Sequence, residues 1–238
     1  MKLLVTDYDG TLFIDEDDLK RNIKNIKNWQ DKGNIFMIST GRSYASIKNQ
    51  IDMYNIPYDY LSCADGSIIY DKDDNVLEMY VMDSKIIEPY VNFYQKIDYE
   101  EIQFSYPRTY SNILLNEKEL LGINICLNTE NYSEEIVNDF IKMSKQYPEF
   151  HFLNYKHTYF SYLCVKPKGI DKSATVTYLK NKLNLNDNDI FVIGDSHNDI
   201  EMIETYHGVC IENSYPEITE ISKKVYKSVS DYIEDSIN

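Results

Sequence analysis

Two aspartates near the start of the chain have the type and spacing that phosphorus chemistry needs. Asp7 and Asp9 follow the apolar run 3–5, and Gly10 comes directly after them. Such a run is typical of a buried parallel strand, so both carboxylates are expected at a strand's carboxyl end, where α/β proteins bind ligands. One carboxylate can attack phosphorus while the other exchanges protons with the leaving and attacking oxygens. The pair can also bind a hard cation such as Mg²⁺.

A second acidic group follows a later apolar run. Residues 190–193 are apolar, and the segment 194–199 reads GDSHND. Parallel strands end at one edge of a sheet, so Asp195 is expected beside the first pair as a third metal ligand. Asp199 is a further candidate for the same ion. The alternative is that Asn198 or Asp199 caps a helix, and the two roles are compatible.

Three further polar residues have spacing suited to phosphate. Thr40 follows the apolar run 35–38, and its hydroxyl together with the Gly41 amide can bind phosphate oxygens. Lys172 precedes a predicted helix and can offset the charge of carboxylates and phosphate. The alternatives are a plain helix start at Thr40-Gly41 and a solvated lysine. Arg42 could reach the phosphate or a cap over the site, but a salt bridge is the commoner arrangement and is what we expect.

The elements that must hold these residues alternate between strand and helix at both ends of the chain. The fold class is therefore α/β, with a Rossmann-like parallel sheet core formed by residues 1–82 and 166–238. Residues 83–165 break the alternation and predict an inserted α+β module. Its predicted helices and strands are 84–97, 101–106, 110–115, 121–127, 133–147, 150–155 and 159–166.

Composition excludes several classes of protein. The chain of 238 residues has 24 basic and 39 acidic side chains and a net charge of −15. That charge argues against binding to nucleic acid or to an anionic membrane surface. No apolar run reaches the roughly 18 residues of a membrane span. The four cysteines are scattered without metal-ligand spacing, which indicates free thiols and a cytoplasmic location.

The four loops together resemble the motifs of the haloacid dehalogenase-like (HAD) hydrolase superfamily, Cof-type or IIB subgroup. The first motif, DxDGT[LV], is matched by residues 7–12, and the fourth, GDxxND, by residues 194–199. Thr40 matches the second motif and Lys172 the third. The resemblance covers nearly the whole chain and implies the HAD fold.

The resemblance also implies a role for each matched residue. Asp7 would be the nucleophile that forms an aspartyl-phosphate, and Asp9 the general acid and base. Mg²⁺ would be bound by the Asp7 carboxylate, the Asp9 backbone carbonyl and Asp195, with support from Asp199. The phosphoryl group would be held by Thr40, Gly41, Lys172 and Asn198.

In two loops the chain departs from the subgroup's pattern. Asp65-Gly66-Ser67 stands where Asn-Gly-Ala is common, which keeps a tight turn but changes the polar group. Glu212 introduces another carboxylate where Gly is common. The insertion 83–165 would form a cap over the site that selects the substrate. Its candidate substrate contacts are Tyr106, Arg108, Tyr110, Tyr155, His157, Tyr159 and Tyr162.

The leading hypothesis is a Mg²⁺-dependent phosphatase, a phosphoric monoester hydrolase, that acts on a small phosphorylated metabolite such as a sugar phosphate. A phosphomutase shares the aspartyl-phosphate step but returns the phosphate to an organic acceptor. A receiver-like signalling module would be phosphorylated on Asp7 without turnover. We expect a monomer or a weak homo-oligomer.

Overall fold

The computed structural model describes residues 1–83, 87–115, 119–128, 130, 132–156 and 160–237. For residues 144, 155, 156 and 237 it describes the backbone but not the side chain. The chain divides into two compact units. The first consists of Met1–Arg42, Ile47–Glu78 and Asp171–Asn238, and the second of Ser43–Ser46 and Met79–Ile170.

An eight-stranded sheet forms the centre of the first unit, in the order β13-β12-β11-β1-β2-β3-β4-β5. The six strands from β13 to β3 are parallel, and β4 pairs with β3 in the antiparallel direction. The strands are β1 (Leu3–Thr6), β2 (Ile35–Ser39), β3 (Tyr60–Cys63), β4 (Ile68–Asp71), β5 (Val76–Met79), β11 (Ile190–Gly194), β12 (Val209–Ile211) and β13 (Val225–Tyr226). The predicted parallel sheet core is confirmed.

Six helices accompany this sheet in the part of the chain that the structure describes. They are α1 (Glu16–Asp31), α2 (Tyr44–Tyr54), α5 (Lys172–Leu183), α6 (Ile200–Tyr206), α7 (Pro216–Ile221) and α8 (Val229–Ile237). Helix α1 is amphipathic and buries Leu19, Ile26 and Trp29. Asp15 caps its first turn by accepting from two backbone N–H groups, and Gly33 takes a φ of +77° just beyond its end.

The second unit contains an antiparallel sheet in the order β7-β6-β8-β10-β9. Its strands are β6 (Glu101–Ser105), β7 (Tyr110–Ser111), β8 (Gly122–Asn128), β9 (Phe150–Lys156) and β10 (Phe160–Pro167). Helices α3 (Glu88–Tyr94) and α4 (Glu134–Ser144) bury Tyr90, Tyr94 and Phe140 in the core of this unit. The α+β composition predicted for the insertion is therefore present.

Four local features differ from what the sequence predicts. The strand expected over 110–115 is only two residues long, because β7 pairs with β6 at Tyr110 and Ser111 alone. Strand β13 and helix α8 were not predicted from the sequence. Of the candidate substrate contacts, Tyr106 is buried and its hydroxyl accepts from the Leu115 N–H at 2.8 Å, so it packs in the unit's core.

Some of the remaining candidate substrate contacts lie among the described residues and others do not. Arg108, Tyr110 and Tyr162 are exposed on the second unit. His157, Tyr159 and the side chain of Tyr155 lie outside the described residues. Within the described residues, no helix combines the length and the hydropathy that crossing a bilayer requires.

Candidate active site

Three carboxylates from two distant parts of the sequence meet in the first unit. Asp7 directly follows β1, while Asp195 and Asp199 follow β11, which pairs with β1 in parallel register. Each contributes one oxygen to a group in which all three oxygens lie within 4.8 Å of one another. The parallel pairing brings both strand ends to the same edge of the sheet, and so brings these side chains together.

Lys172 joins two members of this cluster. Its ammonium nitrogen lies 2.5 Å from Asp7 Oδ1 and 2.7 Å from Asp199 Oδ1, and the lysine side chain has no exposed surface. Lys172 is the first residue of α5, and Asp171 caps that helix by accepting from the Ala174 N–H. The lysine is therefore a fixed, buried positive charge rather than the solvated one that was the alternative.

Asp195 is held by the first loop of the chain. Thr11 Oγ1 donates to Asp195 Oδ1 at 2.6 Å. Gly10 has a φ of +84°, and a Cβ at this position would lie 2.6 Å from Asp195 Oδ2. The DxDGT segment therefore needs glycine for its backbone conformation and for the space that the carboxylate occupies.

Asp199 is fixed by its own loop as well as by Lys172. Its Oδ2 accepts from the N–H groups of Asp195 and Ser196, both at 3.1 Å. A Cβ on Gly194 would lie 2.4 Å from Asp199 Cγ, so a glycine at this position leaves the space that the Asp199 carboxylate occupies. The Asp199 side chain is completely buried, and it shapes the loop that carries Asp195.

The carboxylate of Asp9 has a different partner. Arg42 donates to both of its oxygens, from Nε to Oδ2 at 2.7 Å and from the Nη2 atom to Oδ1 at 2.6 Å. The salt bridge expected for Arg42 is confirmed. About half of the Asp9 side chain is exposed, unlike the three clustered carboxylates. Its predicted contact to a metal involves the backbone carbonyl and stays a prediction.

The predicted phosphate-binding residues lie on neighbouring loops around Asp65. Thr40 is buried, and its carbonyl accepts from the Asp65 N–H at 3.0 Å. Gly41 packs against Asp65, because a Cβ on the glycine would lie 2.9 Å from Asp65 Oδ1. Asn198 Nδ2 donates to the same oxygen at 2.8 Å. Asp65 thus connects the loops after β2, β3 and β11.

Burial and mutual repulsion shift the pKa values of the cluster. Burial raises the pKa of Asp7 well above its usual range; Lys172 opposes this shift, and Asp199 and Asp195 add to it. Burial and the charge of Asp199 raise the pKa of Asp195 to about 6. Burial alone would lower the pKa of Lys172, but Asp199, Asp7 and Asp65 raise it overall. The lysine is charged, and its ammonium group contacts two carboxyl groups, those of Asp7 and Asp199.

This donor set fits a divalent metal ion. Three carboxylate oxygens are close enough to share one ion, and oxygen is the donor that hard cations prefer. Burial raises the pKa values of Asp7 and Asp195, so their ionised forms would be stabilised by added positive charge. A divalent cation would supply it, with Asp7, Asp195 and Asp199 as the residues available to hold it.

The sequence analysis named the residues that the structure brings together, Asp7, Lys172, Asp195 and Asp199, but missed the contacts of two further residues. Thr11 stood inside the first motif, yet its hydrogen bond to Asp195 follows from no spacing rule. The sequence marks Asp65 only as a departure from the subgroup's pattern and does not indicate its polar contact. For both Thr11 and Asp65, the only signal in the sequence is a hydroxyl or carboxyl group beside a glycine in a strand-end loop.

Comparison with known proteins identifies a family and individual proteins to which this sequence is similar. The sequence profile of the haloacid dehalogenase-like hydrolase family matches residues 4–140 and 98–232. The chain is 27% identical over 246 residues to the 5-amino-6-(5-phospho-D-ribitylamino)uracil phosphatase of Bacillus subtilis (strain 168), covering 99% of this chain and 90% of that one.

Solved structures show the same fold at low identity. A haloacid dehalogenase-like hydrolase from B. subtilis superposes with a TM-score of 0.82 at 15% identity, covering 100% of this chain and 99% of that one. A HAD-superfamily phosphatase from Bacteroides thetaiotaomicron gives a TM-score of 0.78 at 18% identity, covering 99% and 93%. The family match extends over most of the sequence, and the chain belongs to the haloacid dehalogenase-like hydrolase family.

Proposed function

We propose that this chain is a Mg²⁺-dependent phosphatase that hydrolyses a small phosphorylated metabolite through an aspartyl-phosphate on Asp7. The observation that carries the proposal is the group of three carboxylates on two strand-end loops, with Lys172 buried between Asp7 and Asp199. This arrangement combines a nucleophile, a cation site and a fixed positive charge. Phosphoryl transfer needs these components, because its catalysis consists mainly of positioning and charge neutralisation.

In the first half of the proposed reaction, a carboxylate oxygen of Asp7 attacks phosphorus and forms a new P–O bond. The P–O bond to the substrate alcohol breaks, and Asp9 gives its proton to the departing alkoxide oxygen. Arg42 donates to both Asp9 oxygens, an arrangement that suits the carboxylate acting as base in the second half of the reaction. Thr40, Gly41, Lys172 and Asn198 bind the phosphoryl oxygens.

In the second half, ionised Asp9 takes a proton from a water molecule, whose oxygen attacks the aspartyl-phosphate. The bond between phosphorus and the Asp7 oxygen breaks, and inorganic phosphate leaves. When bound, Mg²⁺ supplies the positive charge that lets an anionic carboxylate approach an anionic phosphate. Asp7, Asp195 and Asp199 would hold it.

The proposed substrate is a phosphorylated sugar or sugar alcohol. One relative is named for the dephosphorylation of a phosphorylated ribitylamino-uracil, and it aligns with 99% of this chain. That compound joins a sugar alcohol phosphate to a pyrimidine ring, which makes it the first candidate substrate. We further propose that residues 83–165 act as the cap that selects among such compounds.

The test is a screen of phosphorylated metabolites, this compound included, with and without Mg²⁺, in which released inorganic phosphate is measured. We expect phosphate release that depends on Mg²⁺ and needs no bisphosphate activator. If transfer to an organic acceptor occurs instead, the enzyme is a phosphomutase. A persistent acyl-phosphate without turnover would indicate a signalling module. Either result contradicts the proposed function.

A further inference from the structure

Asp65 lies in a turn of the first unit in which three successive residues have positive φ angles. It follows β3, and Ala64, Asp65 and Gly66 have φ angles of 50°, 49° and 100° in succession. A Cβ on Gly66 would lie 2.3 Å from the Asp171 carbonyl oxygen, so this turn packs tightly against the start of α5. Strain of this kind is retained where the surrounding structure holds it, often at functional sites.

The turn is held in place by the loop that carries the predicted phosphate-binding residues. The N–H of Ala64 donates to the Arg42 carbonyl at 2.9 Å, and that of Asp65 donates to the Thr40 carbonyl at 3.0 Å. Its carboxylate consequently lies against Gly41, and the residue as a whole is 5% exposed. Because these contacts are to backbone atoms, the position of the carboxylate is fixed by the fold itself.

The Asp65 carboxylate determines which way the Asn198 amide points. Asn198 Nδ2 donates one of its two hydrogens to Asp65 Oδ1 at 2.8 Å. A carboxylate accepts hydrogen bonds and does not donate them, so the amide cannot turn its oxygen to this side. The second N–H of Asn198 stays free of that bond and keeps a fixed direction.

Asp65 also adds negative charge to a site that must bind an anion. Its charge is among those that raise the pKa of Lys172, after the larger effects of burial, Asp199 and Asp7. A phosphate held by Lys172, Gly41 and Asn198 would therefore be repelled by a buried carboxylate close by. An asparagine at this position would make the same hydrogen bond to Asn198 without the charge.

We propose that Asp65 is a positioning residue that aligns the Asn198 amide, and that its negative charge limits how tightly the site holds phosphate. Inorganic phosphate is the product of the proposed reaction, so its weaker binding favours product release. The inference rests on the proposed function only in taking Asn198, Gly41 and Lys172 as phosphate-binding groups.

Two substitutions separate the charge from the hydrogen bond. Asp65→Asn keeps an acceptor for Asn198 and removes the charge, and asparagine tolerates a positive φ. Asp65→Gly removes both and also tolerates the backbone conformation. The matched control is Asp74→Asn, because Asp74 also has a positive φ, of 62°, but accepts from Tyr58 instead of a residue of the site.

The measurement is the affinity for inorganic phosphate by calorimetry with Mg²⁺ present, alongside the inhibition constant of phosphate. We expect Asp65→Asn to bind phosphate about tenfold more tightly than the wild type, because a nearby like charge is gone. Asp65→Gly should bind it about fivefold more weakly than Asp65→Asn, since the amide is no longer aligned. Asp74→Asn should match the wild type.

A double-mutant cycle gives a second readout. Asn198→Ala should weaken phosphate binding in the Asp65→Asn background and have little effect in the Asp65→Gly background. The proposal is wrong if Asp65→Asn binds phosphate no more tightly than the wild type, or if the two variants bind it equally. Because the calorimetry needs no turnover, it decides this question even if no phosphate ester is hydrolysed and the proposed function fails.

Discussion

Lys172 is the residue on which the charge balance of the site depends. Its completely buried ammonium group contacts Asp7 and Asp199, which are themselves buried. Removing one partner from a buried ion pair leaves uncompensated charge away from water, and this is more costly than the net worth of the pair. The lysine therefore matters for folding as well as for phosphate binding.

We expect Lys172→Met to lower the free energy of unfolding by about 3 kcal/mol, because two buried carboxylates lose their partner. Denaturant unfolding at neutral pH measures the change. Lys20→Met is the control, since Lys20 pairs with Asp17 on the surface and its loss should have no measurable effect. A loss no larger than that of the control would contradict the buried ion-pair interpretation.

Asp7 is the predicted nucleophile, and its substitution tests the chemistry directly. Asp7→Asn should reduce kcat by about a thousandfold or more, because a neutral amide cannot form the acyl-phosphate. The fold should persist, because the amide oxygen still accepts from Lys172. Circular dichroism and released phosphate are measured on the same preparation. Retained turnover in protein free of contaminating phosphatase would show that Asp7 is not the nucleophile.

The loop after β1 positions the cluster through glycine as much as through acidic residues. Gly10 combines a positive φ with a close approach to Asp195, whereas Gly33 has a positive φ and no atom within 4 Å of its missing Cβ. Substituting each glycine in turn therefore separates the cost of a positive φ from the effect of crowding the Asp195 carboxylate. The comparison tests whether the loop after β1 positions Asp195.

Gly10→Ala should displace the Asp195 carboxylate and weaken Mg²⁺ binding about tenfold or more, in addition to a backbone cost of about 1 kcal/mol. Gly33→Ala should show a similar backbone cost and unchanged Mg²⁺ affinity. Calorimetric titration with Mg²⁺ and thermal unfolding provide the two readouts. Equal Mg²⁺ affinity in both variants would mean that Gly10 does not control Asp195.

The stability of the chain as a whole is linked to the ionisation of the cluster. An aspartate ordinarily titrates near 3.8, whereas burial and Asp199 raise the pKa of Asp195 to about 6 in the folded chain, and Asp7 shifts in the same direction. The folded state therefore binds more protons than the unfolded state between these pH values. The contribution of Asp195 to the free energy of unfolding falls as pH rises from about 4 to about 6.

In the metal-free protein we therefore expect Asp195→Asn to raise the free energy of unfolding by about 1 kcal/mol near pH 7.5 and to leave it unchanged near pH 4. Mg²⁺ should raise the Tm of the wild type by about 5 °C near pH 7.5, much less near pH 4, and hardly at all in the variant. Thermal unfolding with and without Mg²⁺ measures both effects. A Mg²⁺ shift that is equal at the two pH values, or kept in the variant, would contradict this linkage.

Local patterns were enough to predict most elements of the fold. The apolar runs before Asp7 and Asp195 predicted parallel strands because a strand covered on both faces needs apolar side chains throughout. Strand β13 is only two residues long and carries no such run, so it is defined by its pairing with β12. The strand expected over 110–115 is likewise limited to the two residues that pair with β6.

The amino-acid sequence by itself determined the family motifs, their order and the strand ends at which Asp7, Thr40 and Asp195 stand. It could do so because burial, turn chemistry and charge act on residues close together in the chain. Only the tertiary structure decided that Arg42 forms a salt bridge with Asp9, that Lys172 is buried against Asp7 and Asp199, and that Asn198 donates a hydrogen bond to Asp65. These pairs join loops up to 165 residues apart, and which side chain meets which depends on strand order and loop conformation.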